Sequence, residues 1–259
     1  MQQNKNDLPI AVIDSGVGGI TVLAELLREL PQEQFIFFAD CANAPYGTKT
    51  AAEVRRLLQA TVQDLVQEGI KALVIACNTA TAAAAEALRT QYDFPIIGIE
   101  PAIKMATTLG GHPSVLVMAT PLTLKQEKFL NLKQQLDSQE DITPLPCPGL
   151  MELIEQGHTD DAVLDEYLKE LFAPLSDRHF DAVVLGCTHY PHAAAAIRRA
   201  LGGGVAVFDG CAGTARQTRR RLDEEGLLRT QKNGSVEFRN SANDAAVNAQ
   251  AKALLEALS

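Results

Sequence analysis

The sequence has no tryptophan, few cysteines and no excess of basic residues. Its 23 lysines and arginines stand against 32 aspartates and glutamates, which gives a formal charge of -9. No basic block is present that could neutralise a phosphate backbone, so nucleic acid is not expected as a partner.

Long apolar runs are also lacking. No run reaches the roughly 20 residues that a bilayer requires, and the opening MQQNKND is too polar and too short for a signal peptide. We therefore expect a cytoplasmic protein with no membrane segment. The five cysteines are an odd number without regular short spacing, which argues against a disulfide framework and indicates reduced thiols.

What the sequence does contain is a series of short runs rich in Val and Ile, separated by helix-like mixtures. In chain order these runs are PIAVI, FIFF, ALVIA, FPIIGI, SVLVM, DAVVLG and VAVF. The alternation predicts an α/β protein with parallel sheets covered by helices. A further strand is predicted at SVEFR, and an amphipathic helix after Asn240.

The chain also resembles itself at an offset of 110 residues. ALVIACNTA can be laid over AVVLGCTHY, which brings Cys77 onto Cys187. Without a gap, 83–89 then falls on 193–199 and 95–99 falls on 205–209, and a weaker match pairs IAVIDS with VLVMAT at an offset of 105. Any two parallel α/β segments look somewhat alike, but coincident cysteines at two strand ends favour a true repeat.

This repeat predicts two pseudo-symmetric parallel-sheet α/β domains. The first is assigned to residues 1–98 and is completed by 208–259, and the second is assigned to 99–207. Ligands of open α/β sheets bind at the carboxyl ends of the strands. Two such domains facing each other would therefore bring both cysteines to one cleft, where we expect the active site.

Each of these cysteines is predicted to end a buried strand and to begin a helix. The unpaired N–H groups and positive partial charge of a helix N-terminus attract a carboxylate and favour thiolate over thiol. Inverting an amino-acid α-carbon requires a group on each face that can both take and give a proton. Cys77 and Cys187 meet this requirement, and the scheme needs no redox cofactor, metal or Schiff base.

Three other interpretations of the cysteines stay open. A cysteine at a strand end is often a small buried apolar residue. Cys187, His189 and His192 suggest a partial set of metal ligands, although no C-x-x-C pair completes it. A disulfide between Cys77 and Cys187 is the third alternative, and it is disfavoured in the cytoplasm.

Two glycine-containing motifs have two interpretations each. DSGVGG resembles a phosphate or dinucleotide loop but lacks the full G-x-G-x-x-G register, so a tight turn that supports Asp14 and Ser15 fits equally well. APYG is either a plain turn or a loop whose amides receive an anion.

Together, DSGVGG, APYG, ACNTA and GCTHYP resemble the glutamate racemase family (aspartate/glutamate racemases), in the same order and over nearly the whole chain. The resemblance implies interconversion of L-glutamate and D-glutamate without pyridoxal phosphate or another cofactor. It also implies a supply of D-glutamate for peptidoglycan synthesis, and a homodimer.

The resemblance implies roles for single residues as well. Cys77 would exchange the proton of D-glutamate and Cys187 that of L-glutamate, with Asp14 and His189 as their acid–base partners. Further substrate contacts are implied for Ser15, Asn78, Thr79 and Thr188 at the α-amino and α-carboxylate groups, and for Pro45, Tyr46 and Gly47 around the side-chain carboxylate. Glu155 matches a family glutamate near the cleft, but a solvated helix residue is an equally good interpretation.

The chain departs from the usual family pattern at two places. Pro121 and Leu122 stand where a Gly-Thr turn is usual, which puts substrate contacts by Thr120 and Thr123 in question. Met151 and Glu152 stand where a Val-Pro pair is usual. Rival functions are a racemase of aspartate, a non-catalytic binding protein, and a nucleotide-dependent enzyme that uses DSGVGG.

Overall fold

A computed structural model describes residues 5–136, 141–231 and 233–258, apart from the side chains of residues 107 and 128. Residues 1–4 of the opening segment lie outside this range. Within it the strands are β1 (Ile10–Asp14), β2 (Gln34–Ala39), β3 (Ala72–Ile75), β4 (Ile96–Gly98), β5 (Ser114–Ala119), β6 (Asp141–Pro146), β7 (Ala182–Gly186), β8 (Ala206–Asp209) and β9 (Ser235–Asn240).

Helices follow most of the strands. In chain order they are α1 (Ile20–Glu29), α2 (Ala51–Glu68), α3 (Asn78–Gln91), α4 (Ile103–Ala106), α5 (Pro121–Lys125), α6 (Glu127–Leu136), α7 (Leu150–Glu155), α8 (Ala162–Phe172), α9 (Ala194–Ala200), α10 (Cys211–Glu224) and α11 (Ala245–Ala257). The strand predicted at SVEFR and the helix predicted after Asn240 are confirmed as β9 and α11.

The chain divides into two compact units, Met1–Glu100 with Cys211–Ser259, and Pro101–Gly210. The first unit holds a parallel sheet of strand order β4-β3-β1-β2-β9, and the second a parallel sheet of order β6-β5-β7-β8. The predicted α/β class with two parallel sheets is confirmed. The boundaries at 98 and 208, as limits of separate domains, stay a prediction.

The two sheets repeat one strand order. Read from one edge, β4-β3-β1-β2 in the first unit corresponds to β8-β7-β5-β6 in the second. The offset that joins the two cysteines therefore also pairs β3 with β7 and β4 with β8, and the weaker match pairs β1 with β5. The internal repeat detected in the sequence is thus a repeat of topology.

Both sheets are covered on their faces by apolar side chains. In the first unit, Val12 and Phe37 belong to a core with α1 and α10, and every residue of β1 is buried. In the second unit, Leu116 and Leu185 pack on the side of α7, α8 and α9, whereas Val117 and Val184 face the opposite core. Burial on both faces explains why these strands are nearly continuous apolar runs.

Strand β6 was not predicted. Its sequence DITPLP alternates between exposed and more buried residues and contains Pro144 and Pro146. A proline lacks the N–H that a sheet ladder needs and is confined to edge strands, and β6 lies at the edge of its sheet, beside β5. The two prolines argued against a strand in the sequence, but an edge strand can contain them.

Within the first unit, buried charges hold the C-terminal segment against residues 1–100. Lys71 Nζ lies 2.5 Å from Glu33 Oε2, both side chains are almost fully buried, and Lys71 also donates to the Leu227 carbonyl at 3.0 Å. Glu33 Oε1 accepts a hydrogen bond from the Arg229 backbone N–H at 2.8 Å. Removal of one partner would leave a buried charge uncompensated, which is strongly destabilising.

Candidate active site

Cys77 lies at the carboxyl end of β3 and caps the 14-residue helix α3, as predicted. Its Sγ accepts a hydrogen bond from the Ala80 N–H at 3.4 Å and lies 3.7 Å from Ser15 Oγ. The residue is 6% exposed. Negative charge on this sulfur would be stabilised by the N–H groups at the start of α3.

Asp14 is the last residue of β1, the neighbour of β3 in the sheet. Its carboxylate is buried, and Oδ2 accepts a hydrogen bond from the Gly19 N–H at 2.5 Å. A Cβ on Gly19 would lie only 2.7 Å from Asp14 Cβ, so this position accepts only glycine without displacement. DSGVGG is therefore a turn that holds Asp14, which favours the second interpretation of the motif.

Ser15, Asn78 and Thr79 are buried around Cys77, each less than 5% exposed. Asn78 Oδ1 has no hydrogen-bond partner among the residues that the structure describes. A buried polar atom of this kind is available to a ligand or to water. Several polar groups thus lie near the thiol, at the carboxyl ends of β1 and β3.

The APYG motif lies in a loop that follows β2. The Ala44–Pro45 peptide bond is cis, Tyr46 is 1% exposed, and Pro45 and Gly47 are half-buried. Tyr46 donates a hydrogen bond to Asp40 Oδ2 at 2.5 Å. Burial and the hydrogen bond to Asp40 raise the pKa of Tyr46 well above its usual value, so the phenol stays a donor.

In the second unit, Cys187 follows β7 directly and is also buried. His189 Nδ1 lies 3.8 Å from Cys187 Sγ, and its Nε2 lies 2.9 Å from Glu155 Oε1 on α7. His189 is 2% exposed, while the Glu155 side chain is 30% exposed. The structure thus joins thiol, imidazole and carboxylate, and Glu155 is a partner of His189 rather than a solvated helix residue.

The prediction that Cys187 begins a helix is wrong. A short 3-10 turn runs over Tyr190–Ala193, and α9 begins only at Ala194. Pro191 lies in the first turn of the 3-10 segment, where its missing N–H is tolerated. Cys187 therefore lacks the helix N-terminus that Cys77 has, and His189 is the titratable residue nearest to it along the chain.

Thr120, Thr123 and Thr188 lie in the same unit after β5 and β7, which are neighbours in the sheet. Thr120 caps α5 by accepting a hydrogen bond from the Thr123 N–H at 3.2 Å, and the two hydroxyl oxygens are 2.9 Å apart. Pro121 occupies the first turn of α5, which suits a proline. The departure from the family pattern at Pro121 and Leu122 thus forms a short capped helix.

The second departure, at Met151 and Glu152, lies on α7. Met151 is 8% exposed and Glu152 is half-buried. Glu155 is on the same short helix. The identity of residues 151 and 152 therefore affects the packing of α7, the helix that carries Glu155.

Sequence reasoning missed Asp40, Cys147 and Tyr190. Tyr190 is buried and its hydroxyl donates to the Cys147 carbonyl at 3.3 Å. Burial, with the neighbouring Cys187, raises the pKa of the Cys147 thiol to about 12, so this thiol stays protonated. Asp40 directly follows β2 and Asp14 is the last residue of β1, so both aspartates stand where an apolar run ends, and that parallel was a signal available in the sequence.

The described residues contain neither a candidate metal centre nor a disulfide. In the described ranges no group of three His, Cys, Asp or Glu side chains is arranged to hold a metal ion, and this includes Cys187, His189 and His192. All five cysteines lie in these ranges and none forms a disulfide. No helix within the same residues is long and apolar enough to cross a membrane.

The fold and the site together define a class of α/β enzyme with one strand-end thiol in each of two related units. The chain belongs to the Asp/Glu/Hydantoin racemase family, whose model matches residues 10–218. It is accordingly a racemase, and the prediction of an isomerase from this family is confirmed.

Individual relatives agree with this assignment. A glutamate racemase of Clostridium botulinum is 46% identical over 93% of this chain and 94% of its own length. The crystal structure of the glutamate racemase isoform RacE1 from Bacillus anthracis is 31% identical, covers 97% of this chain and 95% of that chain, and superposes with a TM-score of 0.88. An Escherichia coli glutamate racemase in complex with L-glutamate and activator UDP-MurNAc-ala is 30% identical, with the same coverage and a TM-score of 0.84.

Proposed function

We propose that this chain interconverts L-glutamate and D-glutamate by a two-cysteine mechanism that uses no cofactor. The observation that carries the proposal is that the corresponding strands β3 and β7 each end at a buried cysteine with an acid–base group in the same unit. The substrate is inferred from the relatives, which are named glutamate racemases and include one in complex with L-glutamate.

In the proposed reaction one thiolate removes the α-proton and the other thiol delivers a proton to the opposite face. The Cα–H bond breaks as an S–H bond forms, and the electron pair is delocalised into the α-carboxylate. A new Cα–H bond then forms with inverted configuration as the second S–H bond breaks. Cys77 is assigned to D-glutamate and Cys187 to L-glutamate.

His189 and Glu155 support the Cys187 side of this scheme. If Nε2–H donates to the Glu155 carboxylate, the Nδ1 lone pair faces Cys187 Sγ at 3.8 Å. His189 can then hold the sulfur proton while Glu155 stabilises the imidazolium that forms. Glu155 acts through His189, so it is a positioning residue in this mechanism.

Asp14 is proposed as the corresponding partner of Cys77. The buried carboxylate is held by the Gly19 N–H and is the last residue of the strand beside β3. This pins its orientation at the end of the sheet where Cys77 lies. The two thiols are thus served by different groups, an imidazole on one side and a carboxylate on the other.

Substrate binding is assigned to the buried polar groups near the thiols. The α-amino and α-carboxylate groups are assigned to Ser15, Asn78, Thr79 and Thr188, with Thr120 and Thr123 as further candidates, and the side-chain carboxylate to the loop of Pro45, Tyr46 and Gly47. Asn78 Oδ1, buried and without a described partner, is suited to accept a hydrogen bond from the substrate ammonium.

Several wider properties belong to the same proposal. We infer that the enzyme works as a homodimer in the cytoplasm and that its D-glutamate supplies peptidoglycan synthesis.

Racemisation by the purified chain tests the proposal directly. After exhaustive dialysis against a chelator and with no added cofactor, circular dichroism should decay to zero from either enantiomer of glutamate. In D2O, deuterium should appear at Cα. L-Aspartate in parallel distinguishes the rival substrate, and calorimetric binding of glutamate without turnover would support the non-catalytic alternative and refute the proposal.

A further inference from the structure

The loop of residues 40–48 begins beside Asp14. Ala39, the last residue of β2, pairs with Asp14 of β1, and the Asp40 N–H donates to the Asp14 carbonyl at 2.8 Å. The base of the loop is therefore held next to a proposed acid–base partner of Cys77.

The buried side chain of Asp40 accepts hydrogen bonds from two other residues of the loop. It is 1% exposed, its Oδ1 accepts from Asn43 Nδ2 at 2.9 Å, and its Oδ2 accepts from the Tyr46 hydroxyl at 2.5 Å. An ionised carboxylate only accepts hydrogen bonds, and both of its partners here are donors. Hydrogen bonds to a charged acceptor are stronger than neutral ones, so Asp40 ties together both ends of the turn that contains Pro45.

Ser241, which directly follows β9, makes two further hydrogen bonds at the start of the same loop. Ser241 Oγ accepts from the Ala42 N–H at 3.0 Å, and the Ser241 N–H donates to the Ala39 carbonyl at 3.0 Å. These bonds follow from the parallel pairing of β2 with β9. The loop is thus anchored on both sides before any ligand arrives.

We propose that Asp40 is a positioning residue for substrate recognition, which through Tyr46 and Asn43 orients the backbone at Tyr46 and Gly47 toward the side-chain carboxylate of the substrate. The inference rests on the proposed function, in the part that assigns the side-chain carboxylate of glutamate to this loop. Orienting these amides in advance lowers the ordering cost of binding. The position of the loop would then determine how far the binding site for the side-chain carboxylate lies from the binding site for the α-carboxylate.

The substitution Asp40→Asn keeps the size and shape of the side chain but changes its hydrogen bonding. The amide carries no charge and offers one acceptor and one donor, so both hydrogen bonds become neutral, and the partner that meets Nδ2, Asn43 or Tyr46, has to turn so that it accepts. Exchanging the pair, as Asp40→Asn with Asn43→Asp, restores complementary partners for both positions. The exchanged variant also keeps the number of carboxylates in the loop unchanged.

We expect Asp40→Asn to raise KM for both enantiomers about tenfold, because two charge-assisted hydrogen bonds become neutral ones, with a much smaller change in kcat. The exchanged double variant should recover most of the KM. Tyr46→Phe should raise KM similarly, and combining it with Asp40→Asn should add little further. Asp177→Asn, at an exposed aspartate of the other unit, serves as the control.

Glutamate binding measured by calorimetry on the same variants makes failure of the inference distinguishable from failure of the proposed function. A wild-type chain that binds but does not racemise glutamate would refute the proposed function alone, and a raised Kd in Asp40→Asn would still support the inference. An unchanged KM and Kd in Asp40→Asn, or a loss that the exchanged pair does not recover, would overturn it. If Asp40→Asn does not fold, the exchanged pair and Tyr46→Phe decide the question by the same criteria.

Discussion

Replacement of Glu155 by glutamine tests the assignment of His189 as the partner of Cys187. The glutamine side chain can still accept a hydrogen bond from Nε2–H, but it no longer carries the charge that stabilises the imidazolium. A charge-assisted hydrogen bond is about twice as strong as a neutral one, and a partly exposed pair loses some of this to solvent. With the Glu155 side chain 30% exposed, we expect a loss of about 1.5 kcal/mol, or roughly tenfold in kcat/KM.

The assay follows circular dichroism of each enantiomer, with and without deuterium at Cα. Because the two enantiomers are equal in free energy, kcat/KM must fall by the same factor in both directions. The kinetic isotope effect, in contrast, can differ between the two enantiomers. Slowing the Cys187 step should increase the isotope effect for α-deuterated L-glutamate more than for the D-enantiomer.

The control is Glu166→Gln, which removes an exposed carboxylate paired with Lys169 on α8 and should leave the kinetics unchanged. An isotope effect that increased for D-glutamate instead would reverse the assignment of the two thiols. Unchanged kcat/KM in Glu155→Gln would refute the role given to the hydrogen bond between Glu155 and His189.

Three further predictions concern the thiols, the turn after β1 and the response to pH. Cys77→Ser and Cys187→Ser should each abolish racemisation, since a hydroxyl is a far weaker acid than a thiol and inversion needs both faces; near-normal turnover by either variant in the circular dichroism assay would reject the two-base scheme. Gly19→Ala should destabilise by about 1–3 kcal/mol in urea and lower kcat, because its Cβ would meet Asp14 Cβ at 2.7 Å; retained stability and activity would show that the turn yields easily. Burial and the neighbouring His189 lower the pKa of His192 below 6.5, so the unfolded chain binds more protons and the free energy of unfolding should fall as pH drops through about 6.5. His192→Gln should flatten that part of the profile in urea titrations, and an identical slope in both proteins would contradict the assignment.

Most of the sheet structure was predictable from the chain because it is written in short-range patterns. Strands of covered parallel sheets are short apolar runs, and the seven runs identified in the sequence became seven strands. Strand β6 escaped because Pro144 and Pro146 contradict the pattern of a strand, and only its position at a sheet edge makes them acceptable. The prediction of a helix beginning at Cys187 was wrong, because the chain continues through the 3-10 turn Tyr190–Ala193 before α9 begins.

The residues of the candidate site were accessible to sequence reasoning to different degrees. Cys77 and Cys187 were found by the internal repeat, and Asp14 by its position after an apolar run. The interaction of Glu155 with His189 was not, since the two are 34 residues apart on different elements. Asp40 carried a local signal that was passed over, but its bonds to Asn43 and Tyr46 depend on how the loop closes.

The amino-acid sequence alone determined the α/β class, the repeated strand–cysteine plan and the strand ends at which the thiols lie. Each of these follows from apolar runs and their spacing along the chain, without knowledge of which side chains meet. Tertiary structure decided which polar side chains meet: Glu155 with His189, Asp40 with Tyr46, and Lys71 with Glu33. Such pairs depend on strand order and loop closure. A buried charge or hydrogen-bond donor is stable only beside a complementary group, and the folded chain alone brings that group near.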